Sequence, residues 1–113
     1  MKHLLPEGWP RPKGYSNGIS VASGRTIYVA GLVGWNKDEI FESDKLTDQF
    51  KTTLENIVAV LKTDGAGPEH VVRMTWYITD KSDYLSNLNY YPRLFLNYRC
   101  CFNFYFGLVF HQG

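Results

Sequence analysis

The hydrophobic positions of the chain fall into a few clear periods. In "KLTDQFKTTLENIVAVLKTDGAG" the residues Leu46, Phe50, Leu54, Ile57 and Leu61 are spaced by 4, 4, 3 and 4, which predicts an amphipathic helix. Asp48 near its start complements the helix dipole, and Gly65 or Gly67 supplies its end. In "HVVRMTWYITD" the period changes to two. Val72, Met74, Trp76 and Ile78 share one face, with Val71, Arg73, Thr75 and Tyr77 on the other, which predicts a strand with one apolar face. Upstream, "SNGISVASGRTIYVAG" alternates around a Ser23-Gly24 turn and reads as a hairpin. Residues 32–45 then read as a loop, with a short extended piece around Ile40 and Phe41.

"DKSDYLSNLNYYPRLF" opens a second helix, for which Asp80, Ser82 and Asp83 are cap candidates. Pro92 lacks the backbone N–H of a helix interior, so a break is expected near Tyr91. In "FNFYFGLVF" the side chains of Phe102, Phe104, Phe106, Leu108 and Phe110 alternate to one side, which allows one further strand. The order strand, strand, helix, strand, helix predicts an α+β fold, a small mixed sheet with two helices on one face. The sheet's other face needs a cover, and in so short a chain the expected cover is another copy of the protein.

Composition divides the chain unevenly. All 11 acidic residues lie at or before Asp83, whereas most of the aromatic residues follow it. Residues 1–91 therefore read as an ordinary folded body. Residues 92–113 read as an atypical aromatic-rich tail, whose composition is also that of aggregation-prone segments. At 113 residues a single domain is expected. The net charge of +1 and the lack of a basic run give no support to nucleic acid or an anionic membrane as partner. Pro6 and Pro10 interrupt the N-terminal segment before an apolar leader can form, so a cytoplasmic protein is expected. Cys100 and Cys101 are neighbours, a strained arrangement for a disulfide, and no metal-ligand spacing accompanies them, so free thiols and no metal are expected.

Two stretches, "GYSNGISVASGRTIYVAGLVGW" and "LENIVAVLKTDGAGPEHVVRMTWYITDKSDY", taken in order, resemble the Rid (YjgF-like) family. Within it, "VAGLVGW" and "MTWYITDK" are most similar to the branch of 2-aminomuconate deaminases. The resemblance implies a chorismate-mutase-like fold, a homotrimer with clefts between subunits, and hydrolysis of enamines or imines to oxo acids and ammonia. It implies no cofactor. It also implies a carboxylate-bearing substrate, held by a cation such as an arginine, whose planar fork matches a carboxylate.

Carried over residue by residue, the resemblance places Tyr15 on the cleft wall, where its other reading is packing of the first strand. Gly31 becomes a point where the backbone approaches a ligand, or else a turn glycine. Asp80 and Asp83 match family positions, but capping accounts for them. His70 reads as a surface residue. Gly31 and Gly34 spell G-x-x-G without the helices an RNA-clamping loop requires.

The family's carboxylate-binding arginine lies in a "P-A-R-S" stretch that this chain lacks. Counting from "YITD" puts that position near Phe102, and Arg99 is the arginine nearby. The family's water-positioning glutamate, in a final "V-E-I-E-A" strand, also has no counterpart, since no acidic residue follows Asp83. The C-terminal strands are accordingly expected to be incomplete or replaced, by an altered reading frame or by divergence. Tyr15, Gly31 and Arg99 are the expected substrate-binding residues, and no catalytic residue is assigned. The functional expectation is a Rid-like deaminase, with a noncatalytic small-molecule-binding or regulatory trimer as the alternative.

Overall fold

A computed structural model describes residues 1–95 and 97–107; Leu108 and Phe110 of the tail pattern lie outside the described residues. Its longest element is helix α1, Leu46–Lys62, which buries Phe50, Thr53, Leu54 and Leu61. Asp48 stands in the first turn and accepts a hydrogen bond from the Ser43 hydroxyl at 2.7 Å. At the other end Gly65 adopts φ 73°, a left-handed value that glycine reaches without a Cβ clash. That turn lets the Ala66 N–H reach the Leu61 carbonyl at 3.0 Å, so the helix ends at the first of the two expected glycines.

The first two strands, β1 (Lys2–Leu4) and β2 (Gly18–Ser20), pair antiparallel, with His3 opposite Ile19. Strands β3 (Arg73–Ile78) and β4 (Cys101–Phe106) pair parallel in a separate two-stranded sheet, with Trp76 opposite Phe104. The single mixed sheet expected from the pattern is thus divided in two. The expected hairpin at residues 19–30 also forms no ladder beyond Ser20. Val21 is 59% exposed, while Ile27 and Val29 are half-buried without joining a ladder. A two-stranded hairpin needs a third strand or a packed helix to persist in water.

The β3 prediction holds from Arg73 onward, whereas Val72, expected on the apolar face, is exposed and Val71 packs against the core instead. Met74, Trp76 and Ile78 are buried and Arg73, Thr75 and Tyr77 point outward. Two short helices follow, α2 (Lys81–Ser86) and α3 (Tyr91–Leu94). Asp80 caps α2, its carboxylate accepting the Asp83 N–H at 2.9 Å. Pro92 occupies the first turn of α3, where no intrahelical N–H is needed, so it starts a helix where the pattern had it ending one. Residues 79–100 form the crossover that a parallel pair requires, and this returns the tail to the same edge of β3.

Phe50 is the centre of the core. It stacks on Trp76 at 4.0 Å between ring centroids and meets Tyr91 at 4.5 Å. Phe95, Tyr98 and Cys100 complete the same buried cluster, with Phe102, Phe104 and Phe106 of β4 packed against it. Aromatic residues of the tail therefore share one core with the apolar stripe of α1. Among the described residues no helix is long and apolar enough to cross a membrane.

Candidate functional site

Residues 13–17, the α2–α3 segment and β4 enclose a cavity of about 590 Å³, within the range of small-molecule sites. Ser16 holds this corner together. Its N–H donates to the Cys100 carbonyl at 3.1 Å and its hydroxyl to the Arg99 carbonyl at 2.5 Å. His3 Nδ1 lies 2.6 Å from the same hydroxyl, brought there by the β1–β2 pairing. A carbonyl can only accept, so the serine proton is committed to Arg99 and His3 donates from Nδ1. With its proton directed away from the imidazole, Ser16 is a tie between chain segments and not an activated nucleophile.

The walls are aromatic with a few polar groups. Tyr15, half exposed, stands beside Lys13 on one side. Tyr84 and Tyr91 stack at 4.6 Å on another, and Phe95 and Phe102 meet at 4.8 Å below. Asn103 adds an amide. When this is turned so that its oxygen faces Arg73, the oxygen accepts from the guanidinium at 2.7 and 3.1 Å across the parallel strands. Lys13 is the one cationic side chain on the described wall, and no carboxylate or imidazole lines it.

Burial raises the tyrosine hydroxyls here. Tyr91 is pushed up to about 12, by desolvation first and then by the charge of Asp83 and the neighbouring Tyr84 and Tyr90. Tyr84 is raised by burial as well. Both are neutral hydrogen-bond donors at physiological pH. Cys100 is fully buried and its thiol is pushed up to about 12, chiefly by desolvation, so it is not poised as a nucleophile. Cys101, partly exposed, lies on the cavity wall, and both cysteines are free thiols.

Of the three residues expected to bind substrate, Tyr15 lies on the cavity wall. The Arg99 side chain is exposed and does not line the cavity, while its carbonyl takes part in the Ser16 tie. Gly31 is exposed and away from the cavity, and a Cβ built there meets nothing within 4 Å. The neighbouring Gly34 is the glycine the packing requires. A Cβ there would sit 2.5 Å from the Gln49 carbonyl oxygen, against the backbone of α1. His70 is exposed, as expected, and its ring accepts the Gly67 N–H at 3.0 Å. Sequence reasoning passed over Ser16, whose one signal was its place after Tyr15, and Tyr91, noticed only as the residue before Pro92.

A second hollow of about 310 Å³ lies beside the start of α1, with Glu42, Asp48, Lys51 and Glu55 on its walls. Among the described residues no three His, Cys, Asp or Glu side chains come together as a metal-binding group.

The fold and the motifs that build this corner are those of a known family. The family model described as Endoribonuclease L-PSP matches residues 10–103, and the chain belongs to that family. A RutC family protein of Pyrococcus abyssi is 35% identical over 95 residues, covering 81% of this chain and 72% of that protein. RutC family protein UK114 of Drosophila melanogaster is 34% identical over 77 residues. That match covers 67% of this chain, and the chain spans only 56% of the fly protein's length. Among solved structures, the Rid-family protein YyfB of Yersinia pestis, of unknown function, superposes with a TM-score of 0.77 at 25% identity. The match covers 98% of this chain and 87% of that one. A candidate endoribonuclease L-PSP of Entamoeba histolytica shares the fold, with a TM-score of 0.63 at 19% identity and coverage of 90% and 87%.

Proposed function

We propose that the protein hydrolyses enamine or imine intermediates that carry a carboxylate, such as 2-imino acids or 2-aminomuconate-like compounds, to oxo acids and ammonia. The observation that carries this reading is the cavity beside the family's Tyr-Ser motif, where Tyr15 and Lys13 face a wall free of acidic groups. An anionic substrate meets the Lys13 countercharge there, while the charge of Asp83 bears on the Tyr91 side of the wall. An iminium carbon is electrophilic by itself. Water adds to it to form a carbinolamine, a proton moves to nitrogen, and the C–N bond breaks to leave a carbonyl and ammonium. The chain's residues need only orient the substrate and admit water.

A second reading, a noncatalytic binding or regulatory protein, is favoured by one observation: no carboxylate or imidazole on the described wall could position that water. The exposed apolar side chains of the N-terminal half, Tyr28 foremost, support assembly as a homotrimer in either case. The ribonuclease description of the family finds less support, since the cavity offers one lysine and the net charge is +1.

The test is ammonia release from 2-aminomuconate, and from 2-iminopropionate generated in situ, against the uncatalysed rate. Acceleration that falls when Tyr15 is changed to Ala supports the deaminase. A folded, soluble sample that gives no acceleration rejects it in favour of the binding protein.

A further inference from the structure

Strand β4 is paired on one edge. The Cys101 N–H donates to the Val72 carbonyl at 3.0 Å and the Gly107 N–H to the Ile78 carbonyl at 2.9 Å, so the odd-numbered residues of β4 aim their backbone groups at β3. Direction alternates along a strand. Phe102, Phe104 and Phe106 therefore aim their N–H and C=O groups away from β3, to an edge where no strand lies among the described residues. The cavity runs along this edge. Cys101, Phe102, Asn103 and Phe104 line it in unbroken succession, which the side chains of a single strand face could not do.

The open stretch is bounded at both ends. At one, the Cys100 carbonyl already accepts the Ser16 N–H at 3.1 Å. At the other, Gly107 takes φ 76° and turns the chain off the strand line. What remains is Phe102–Phe106, centred on Phe104. Between Cys100 and Gly107 stands no proline and no charged residue, the devices that keep an edge from pairing with its like.

We propose that this edge pairs antiparallel with the same edge of a second copy, about a two-fold axis at Phe104. In that register Phe104 faces the partner's Phe104, and Phe102 faces the partner's Phe106. Each such pair exchanges both backbone bonds, about six bonds in all. The Asn103 amide, turned toward Arg73, also donates to the Phe102 carbonyl at 3.0 Å, and that oxygen keeps a second lone pair for the partner. Phe102, Phe104 and Phe106 pack against the core on one face, so the two cores meet through rings across the axis. On the other face Asn103 stands opposite the partner's Tyr105. The added strand closes the side of the cavity that one chain leaves open. A two-fold contact differs from a three-fold assembly through the N-terminal half, and combined with one it still gives an even number of chains. The pairing does not depend on the reaction assigned to the cavity.

The experiment is sedimentation velocity of the full chain across a dilution series, with two double variants. Asn103→Glu with Tyr105→Glu sets like charges opposite each other in this register, whereas Asn103→Glu with Tyr105→Lys sets opposite charges there. Both positions lie on the face turned from the core, and a carboxylate at 103 retains Arg73 as its partner. The wild type is expected as an even-numbered species that dissociates on dilution. The first variant should dissociate at about tenfold higher concentration than the second. Amide exchange on the wild type reads the same edge without substitution. Phe102, Phe104 and Phe106 should slow at high concentration, while Asn103 and Tyr105, already directed to β3, should not change. A monomer or a trimer at every concentration overturns the inference. Equal dissociation of the two variants, or exchange at Phe104 that ignores concentration, overturns it as well.

Discussion

Residues 1–45 and residues 46–107 stand in opposite relations to water. Every buried hydrophobic side chain of the described structure, from Phe50 to Cys100, belongs to the second region. The first leaves Trp9, Val21, Tyr28, Ile40 and Phe41 exposed; its buried residues are Ser16 and Gly34, and Ile19 is half-buried against the core. It is held by point attachments: the Ser16 tie, the fit of Gly34 on α1, and the Asn56 amide donating to the Val33 and Trp35 carbonyls at 3.1 and 2.9 Å. Arg25 adds an exposed ion pair with Asp64 at 2.9 Å. The comparison teaches that stability and site come from different places. The core is made by the helices with β3 and β4, whereas one wall of the cavity is a segment that a handful of polar contacts keep in register.

The largest effect that would test this division lies in the core. Phe50→Ala, which removes the ring stacked on Trp76, should cost about 3–5 kcal/mol by urea denaturation. Tyr28→Ala, in the exposed region, should stay within about 0.5 kcal/mol as a monomer. Equal losses at both positions would erase the comparison.

Alkaline pH should strike the same core. Cys100 and Tyr91 both have folded-state pKa values near 12, raised from 9.0 and 10.0. The folded protein thus retains protons that the unfolded chain releases. The stability contributed is complete below pH 9, declines through the window from 9 to 12, and is gone above it. Urea midpoints measured from pH 8 to pH 12 should fall, and Tyr91→Phe should fall less steeply above pH 10. A flat profile would show that neither group is desolvated as placed.

The attachments should give intermediate losses. Gly34→Ala forces a Cβ against the Gln49 backbone and should cost about 1–3 kcal/mol, whereas Gly31→Ala meets open space and should cost under about 1 kcal/mol. Thermal melts of the two variants compare them directly. Ser16→Ala strands the Arg99 carbonyl and His3, and about 1–2 kcal/mol is expected. Its particular signature is faster amide exchange in residues 13–20, with the core helix unaffected. Loosening of α1 to the same extent would join the two regions into one cooperative unit.

Elements whose periodicity is local were legible from the chain alone. The five-residue stripe of α1 needs no partner to be recognised, and the alternation of β3 carries through to Met74, Trp76 and Ile78 in the core. The Asp80 cap depends on a neighbour three residues away. The hairpin at 19–30 had an equally local signal and failed, since alternation describes a face but cannot supply the surface that covers it. Its exposed side chains are the part of the pattern that a single chain leaves unanswered.

Of the site, Tyr15 could be placed from its motif, while the rest depended on contacts distant in sequence. Ser16 meets Arg99 across 83 residues, and β4 settles parallel to β3 only because residues 79–100 cross over. That crossover decides which aromatic rings line the cavity and leaves the Tyr91 hydroxyl buried with no hydrogen-bond partner among the described residues. Letters determine period, caps and charge, because these act within a few residues along the backbone. Which strand pairs with which, and which polar group is stranded, are set by the packing of segments that the chain order keeps far apart.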